Sequence, residues 1–463
     1  MTSLARLRAV LLALASLAPV TVAVAQMPTS GAGAAPTQGP PTPKAAPAAA
    51  GPAAPEDVGP PPPGIPEPLH RVATATAWTH PSVRAAEGQI RAAGYDVRGA
   101  RWLRFPNLTV EALAITRGSP NSAQGGTVLN AVIEQPIWTG GRIGAAIDRA
   151  SAQLMVQRHG LDEAVRDLLL RAAQAYYEVG QQARRGEVLA GALRQHKELV
   201  NTISNRVNQQ ISPRSDLDLA KARASQVEQQ LALSTAQRQA AYSALIELTG
   251  DAAPALGNVP LYDVNIHHPR MNGAITRALA CDPRSARLNA QSLVARSEQR
   301  AAKAALFPQL AGQLSSNEIL GERVGIVLRA QTGNGLSQAT AAQSARERAQ
   351  ASEDAIATVQ RELREALRVD FANNMAAQQR ISSSSSAVES SSFVIDSYKR
   401  QFIAGRRTWL DVMNALQEAT ATRLAVVESE ITAQITTARI MLRTCVWEPR
   451  ARFDVTLKDP DNG

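Results

Sequence analysis

The chain has few of the residues that build metal centres, reactive thiol sites or catalytic clusters. Its 463 residues include only two cysteines, Cys281 and Cys445, and six histidines. There is no CxxC, no HExxH and no group of His, Asp and Glu at ligand spacing, so we expect neither a metal site nor a cofactor. The motifs GxSxG and GxxxxGK followed by Ser or Thr are also missing, so we expect that the protein is not an enzyme. The neighbouring pair His267-His268 is expected to lie in a surface loop.

Aromatic residues are also scarce, at 4% of the chain, and no basic cluster is interleaved with them. The 49 Lys and Arg residues exceed the 40 Asp and Glu residues, which gives a formal net charge of +9, but the excess is spread along helical patterns. A nucleic-acid interface would need a concentrated basic patch. We therefore expect no nucleic-acid partner.

Long apolar runs are missing after the N-terminal segment. Arg6 and Arg8 precede the apolar run Ala9–Val20, and Ala23–Ala25 forms an A-x-A cleavage pattern, which together predict a cleaved signal peptide. A membrane helix is the alternative, but the run is short and contains Pro19. An exported chain without a later apolar run of about 18 residues can cross a membrane only with β-strands.

The two cysteines are the right number for one disulfide in an oxidising compartment. The residues alone leave two alternatives open, a Cys281–Cys445 bond or two small unpaired side chains. Between the signal peptide and the first helical pattern, residues 26–67 are rich in Pro, Ala, Gly and Thr. Such a segment buries too little apolar surface to order itself, so we expect a disordered linker.

An internal repeat follows the linker. His80-Pro81 is followed 25 residues later by Phe105-Pro106, and Asp282-Pro283 is followed at the same spacing by Phe307-Pro308, with 202 residues between the copies. Proline is favourable in the first turn of a helix and interrupts a helix at later positions. The two proline pairs of each copy therefore mark the start and the end of a short helix. Two strand-like stretches around a turn then predict a β-hairpin in each copy. The predicted strands are Leu108–Thr116, Thr127–Trp138, Gln309–Ser316 and Arg323–Gln331.

Each predicted hairpin is followed by a very long helical pattern. Arg142–Gln210 and Leu336–Gln401 contain no proline, and about 68 helical residues would span ~100 Å. The Ser-rich run within residues 382–392 is expected to remain helical, because serine is only a modest helix penalty. A shorter return helix follows each long one. A short helix and a return helix placed end to end would match one long helix in length.

A sharp turn separates each long helix from its return helix. In the second copy, Gly405 suits the left-handed end of a helix, Thr408 suits the N-cap of the next, and Asp411 falls three residues later. In the first copy, we expect Pro213 to end the long helix and Ser215 to cap the return helix. The matching chemistry indicates two antiparallel helical hairpins produced by duplication.

Five motifs occur in this order along residues 68–448: His80-Pro81, Phe105–Leu108, Gln135–Arg142, Ala175–Tyr177 and Ala404–Asn414. Together they resemble the TolC family of outer-membrane efflux proteins. The resemblance implies a mainly α-helical chain with β-strands, a TolC-like α/β-barrel whose homotrimer forms a 12-stranded transmembrane β-barrel and a 12-helix periplasmic tunnel. It implies an outer-membrane location in contact with outer-membrane lipid. The implied partners are a periplasmic adaptor (membrane fusion) protein and an inner-membrane ABC transporter or proton-driven pump.

The resemblance also implies a periplasmic gate. Position matching carries the family's first gate aspartate onto Asp411, whereas the second position, one helical turn later, holds Asn414. Phe402 and Arg407 match residues that tie neighbouring helices together in the closed state. A ring of three carboxylates at a constriction has a strong local field. Asparagine at the second position would halve the ring charge expected for the family. The alternative is that Asp411 only caps the helix that begins after Thr408.

Two further features follow from the resemblance. The adaptor is expected to dock at the hairpin tips, formed by Ser212, Pro213, Arg214, Ala404, Gly405 and Arg406. Cys281 and Cys445 would both lie near the middle of the tunnel, which favours their disulfide.

The run Arg406–Ala415 is most similar to members that serve type I secretion of adhesins or toxins. We therefore predict a passive exit duct of a tripartite type I secretion system, with the outer-membrane component of a multidrug efflux pump as the alternative. A periplasmic structural coiled-coil protein would explain the helices but not the hairpins. The predicted segments are a signal peptide (1–25), a linker (26–67), a first repeat (68–258), an inter-repeat loop (259–271), a second repeat (272–448) and a tail (449–463).

Overall fold

The computed structural model describes residues 59–115, 126–317, 321–330 and 335–449. The predicted signal peptide, most of the predicted linker, the middle of the first β-hairpin turn and nearly all of the tail lie outside these residues. The described elements are α1 (Glu67–Thr79), α2 (Pro81–Trp102), β1 (Asn107–Ile115), β2 (Gly126–Trp138), α3 (Arg142–Asn208), α4 (Arg214–Thr249), α5 (Ala274–Cys281), α6 (Pro283–Ala304), β3 (Gln309–Asn317), β4 (Gly321–Arg329), α7 (Ser337–Ile403) and α8 (Trp409–Arg443).

The four strands form one antiparallel sheet in the order β1-β2-β3-β4. Both predicted hairpins are confirmed, and β2 also pairs with β3, so that the two repeats share one sheet. Residues directly opposite each other lie on the same face of a sheet. One such row consists of Leu108, Ile133, Leu314 and Val324, whose side chains are 60%, 38%, 39% and 84% exposed. The sheet therefore presents a row of large apolar side chains outward.

The helices confirm the length match that the sequence predicted. Helices α3 and α7 have 67 residues each, or ~100 Å at 1.5 Å per residue. Helices α2 and α4 pack along α3, while α6 and α8 pack along α7. The end-to-end junction in the first repeat is fixed by the Thr79 hydroxyl, which donates to the Thr249 carbonyl at 2.9 Å. Within the described residues, no helix has both the length and the apolar character needed to cross a membrane.

Two short helices, α1 and α5, were not foreseen. They precede the predicted short helices and pack against the centre of the bundle. Ile65 and Leu69 are buried there beside Tyr177, and the Trp447 indole donates to His70 Nδ1 at 3.0 Å. The predicted boundary of the linker was therefore too late, because Ile65 already belongs to the core.

The Ser-rich part of α7 is helical, as predicted. Its hydroxyls donate hydrogen bonds to carbonyls of the preceding turn; for example, Ser390 Oγ donates to the Ser386 carbonyl at 3.0 Å. Serine is tolerated here because this bond stays within the helix.

Candidate functional site

The turn between α7 and α8 has the geometry that its sequence predicts. Gly405 adopts φ 74°, and the amides of Gly405 and Arg406 donate to the carbonyls of Phe402 and Gln401 at 3.0 and 2.8 Å. This is a Schellman motif, which satisfies the last carbonyls of α7. Helix α8 then begins after Thr408, so Gly405 as the helix end and Thr408 as the N-cap are both confirmed.

The turn between α3 and α4 differs from the prediction. Helix α3 ends at Asn208, and Gln210 occupies the left-handed position with φ 60°, so Pro213 does not end the helix. Ile211 and Gln210 donate to carbonyls of the last turn in the same pattern as in the second hairpin. Helix α4 begins at Arg214 with Pro213 at the N-cap, and Ser215 makes no cap. Proline already has the φ that a helix start needs, which moves the start ahead of the serine.

A shared apolar cluster brings the two hairpins together. Its buried members come from α3, α4, α7 and α8: Leu199, Ile203, Ala220, Phe402, Val412 and Met413. Phe402 is only 7% exposed, and the guanidinium of Arg206 lies 5.2 Å from its ring centre. This cation–π contact links the two repeats at this end of the bundle. The sequence pointed to Phe402 but gave no signal for Arg206.

Arg407 makes its contacts within its own hairpin. Its guanidinium lies 4.4 Å from the ring centre of Tyr398, and its Nε is 3.4 Å from Gln401 Oε1. A third contact, to Asp411, has an N–O distance of 3.9 Å. The arginine therefore joins the end of α7 to the start of α8 within one chain. A link to the helices of a second copy stays a prediction.

Asp411 serves as a capping residue in the described chain. Its Oδ2 accepts from the Thr408 hydroxyl at 2.8 Å and from the Thr408 amide at 3.1 Å, and its own amide donates to Thr408 Oγ1 at 3.2 Å. These hydrogen bonds, and more weakly Arg407, lower the pKa of the Asp411 carboxyl below its ordinary value. Asn414 lies one turn further along and is exposed. The cap accounts for Asp411 without a gate, so its place in a ring stays a prediction.

The predicted docking tips lie on the surface of the bundle end. Pro213, Arg214 and Gly405 are exposed, as are the neighbours of Gly405, Ala404 and Arg406, whereas Ser212 is partly buried. Both tips are thus accessible to another protein.

A disulfide joins Cys281, at the end of α5, to Cys445, just after α8. It lies at the junction where α6 and α8 meet end to end. Arg166 of the first repeat reaches the same point, with 3.2 Å to Asp282 Oδ1 and 2.9 Å to Cys445 Sγ. Nearby, the buried Asp370 forms ion pairs with Arg443 and Arg439, although burial still raises the pKa of its carboxyl. The disulfide and the Asp370 ion pairs therefore fix the middle of the second repeat, and Arg166 links the first repeat to the same point.

The histidine pair is not simply part of an exposed loop. His267 is only 4% exposed, and its carbonyl accepts from Asn374, Gln378 and Thr437. His268 is exposed and contacts Gln378. The prediction of a surface position is therefore wrong for His267, because its carbonyl anchors the inter-repeat loop. In the described parts of the chain, no three His, Cys, Asp or Glu side chains converge as metal ligands would.

His196 is a residue that the sequence analysis did not single out. It is fully buried on α3, and neither ring nitrogen has a hydrogen-bond partner among the described residues. Burial, and then the nearby charge of Arg223, lower the pKa of the His196 ring below its ordinary value. The ring is therefore held neutral near the end of the bundle that carries the two hairpins.

Comparisons with known proteins agree with this architecture. Residues 76–251 match the family described as outer membrane efflux protein. A comparison with curated protein sequences gives no significant match. By its description, this family is located in the outer membrane and serves efflux.

Three solved structures illustrate the likeness in fold. A membrane protein from Pseudomonas aeruginosa is 19% identical with a TM-score of 0.72, covering 82% of this chain and 90% of its own. VceC from Vibrio cholerae is 18% identical with a TM-score of 0.68, covering 81% and 95%. The open state of the Neisseria gonorrhoeae MtrE outer membrane channel is 15% identical with a TM-score of 0.66, covering 81% and 88%. The chain therefore has the fold of the TolC-like outer-membrane channels, and most of its first repeat matches the outer membrane efflux protein family.

Proposed function

We propose that the protein is the passive outer-membrane exit duct of a tripartite type I secretion system. The observation that best supports a duct is that the two ends of the fold differ. A sheet with an outward row of apolar side chains lies at one end of two ~100 Å helices, and two helical hairpins lie at the other. Three copies would place twelve strands in one closed sheet in the outer membrane, with the helices around a common tunnel.

The partners follow from the two ends of this duct. The hairpin tips, Ser212–Arg214 and Ala404–Arg406, are exposed except for the partly buried Ser212 and would receive a periplasmic adaptor. An inner-membrane ABC transporter or proton-driven pump would supply the energy, because the described chain has no nucleotide-binding motif. Protein cargo is supported by the similarity of Arg406–Ala415 to members that serve type I secretion. Efflux of small molecules is the second candidate, and the description of the matching family favours it.

A deletion strain, assayed for secreted proteins and for drug susceptibility, separates the two candidates. Loss of one large exported protein with unchanged drug tolerance would establish type I secretion. Drug hypersensitivity with an intact set of secreted proteins would instead establish efflux. Unchanged protein secretion together with unchanged drug tolerance in the deletion strain would contradict a non-redundant duct of either kind.

The gate is part of this proposal. Three Asp411 carboxylates near the tunnel axis would narrow the opening and attract cations, with Asn414 contributing no charge. We expect Asp411→Ala to raise the single-channel conductance of purified trimers. Thr408→Ala is the matched control, because it weakens the same capping box but keeps the carboxylate. Equal conductance for wild type and Asp411→Ala, or an equal increase for both variants, would refute the gate.

A further inference from the structure

Helix α7 has an open side that α3, its counterpart in the first repeat, lacks. Helix α3 has α2 and α4 on one side and α6 and α8 on the other. Helix α7 packs on α5, α6 and α8, and no described helix of the first repeat packs extensively against it. Because the two long helices are equivalent by the repeat, the open side of α7 corresponds to the side of α3 that α6 covers.

The contact between α3 and α6 shows what kind of surface belongs there. Arg300 of α6 lies 3.0 Å from Asp148 of α3, and Arg149 lies 3.9 Å from Glu298. Met155 and Leu293 face the same groove between these two helices. The contact thus combines ion pairs with two apolar side chains that line one groove.

Replacing α3 and α6 by their equivalents in the other repeat gives the corresponding contact between two copies of the chain. Helix α2 is the equivalent of α6 with an offset of 202 residues, and α7 is the equivalent of α3 with an offset of 195. The pair Met155–Leu293 then corresponds to Gln350 of one copy and Arg91 of the next. Asp148–Arg300 corresponds to Gln343 and Arg98. The basic position at Arg98 is retained, whereas its acidic partner is replaced by glutamine.

Two acids lie one helical turn beyond these two glutamines. Glu347 lies four residues after Gln343 and three before Gln350, so it falls between the levels of Arg98 and Arg91. Asp354 lies four residues after Gln350, on the other side of Arg91. The acids are seven residues apart, as are the two arginines, and seven residues are close to two helical turns. Each set therefore forms a stripe along one face of its helix.

These charges are available for such a contact. Glu347, Asp354 and Arg91 are exposed, and none of them forms an ion pair within the described residues. The adjacent acid Glu353, by contrast, already pairs with Arg296 of the same chain at 2.9 Å. The guanidinium of Arg98 lies 4.2 Å from the ring centre of Tyr95. Both residues belong to α2, so this contact keeps the guanidinium at the surface of that helix.

We propose that Glu347 and Asp354 of one copy form ion pairs with Arg91 and Arg98 of the next copy, and that this charge stripe sets the order of subunits around the duct. The inference rests on the proposed assembly of several copies. Such a contact is head-to-tail, because the acids and the arginines lie on different helices. Like charges would meet in any arrangement that placed two α7 faces together, so the stripe also disfavours that alternative.

Charge reversal in purified, detergent-solubilised protein tests the proposal, with subunit dissociation on dilution followed by light scattering. We expect Glu347→Arg with Asp354→Arg to raise the concentration of half-dissociation by roughly tenfold or more. Arg91→Glu with Arg98→Glu should act similarly, and all four changes together should restore assembly. The matched controls are Glu418→Arg on α8 and Arg270→Glu in the inter-repeat loop, two exposed positions away from the stripe. Neither control should change dissociation.

A second measurement covers variants that fail to fold. Cysteines at Arg91 and Gln350 should cross-link neighbouring copies under oxidation, whereas cysteines at Arg91 and Glu418 should not. Wild-type assembly with unchanged dissociation in the folded reversal variants would overturn the stripe and leave the duct intact, as would failure of the first cysteine pair to cross-link. A wild-type chain that does not assemble at all would overturn the proposed function itself.

Discussion

Two glycines on α3 allow a steric test of how the inter-repeat loop is held. A Cβ added at Gly180 would lie 2.2 Å from Val259 Cγ2 and 3.0 Å from Val259 Cβ. Rotation of the valine side chain moves Cγ2 but not Cβ, so the loop backbone itself has to shift. A Cβ at Gly191, on the same helix, would meet only the end of the Arg194 side chain, at 3.7 Å.

The expected magnitudes follow from two terms. Both Gly→Ala changes gain about 1 kcal/mol of helix propensity. Gly180→Ala also overpacks a buried contact, which typically costs about 1–3 kcal/mol. Because propensity cancels between the two variants, their stabilities should differ by about 1–3 kcal/mol, with Gly191→Ala the more stable. Their thermal midpoints should be separated by roughly 1–4 °C.

Hydrogen exchange gives a local readout for the same pair. Gly180→Ala should speed exchange in residues 255–262, where the loop leaves the helix surface, while Gly191→Ala should leave these amides unchanged. Equal stability and equal loop protection in the two variants would refute the claim that the Gly180 surface seats the loop at Val259.

Three other predictions concern the middle and the hairpin end of the bundle. Cys281→Ser should destabilise the chain by about 2–5 kcal/mol, because the disulfide closes a separation of 164 residues, and reductant should lower the midpoint of the wild type but not of the variant. His196 has a lowered folded-state pKa, so its stabilising contribution is present above the ordinary histidine pKa and is lost as pH falls through it. His196→Leu should therefore flatten the loss of stability between about pH 7 and 5 in denaturant titrations, and an unchanged slope would contradict this assignment. Phe402→Ala should cost about 3–5 kcal/mol and loosen proteolytic protection of both hairpins, because one ring serves the two repeats. Cleavage confined to the second hairpin would show that the repeats are not joined there.

Features that depend on a few neighbouring residues could be predicted from the sequence. Pro81 and Pro283 mark helix starts through their fixed φ, and the capping box at Thr408 and Asp411 closes within four residues. The strands of each hairpin were found within a few residues for the same reason.

Features set by distant contacts could not be predicted. The pairing of β2 with β3 joins Asn130 to Asn317, and no local pattern specifies that register. Helix α1 is stabilised by packing on Tyr177, about one hundred residues further along the chain. At Gln210 the left-handed position is occupied by a residue type that rarely adopts it, so the sequence analysis assigned the end of the helix to Pro213 instead. Arg206 reads as an ordinary solvated charge until the fold brings Phe402 beside it.

The disulfide also defines a lever. Helix α8 runs for 35 residues from its tip to the covalent link just beyond its last turn, which is about 50 Å of rod with one end pinned. A lateral displacement of about 10 Å at the tip requires a tilt of only about 10° around that pin, because the rod is about 50 Å long. The bond between Cys281 and Cys445 therefore separates the part of the second repeat that such a tilt would displace from α6 and the strands, which it would leave in place.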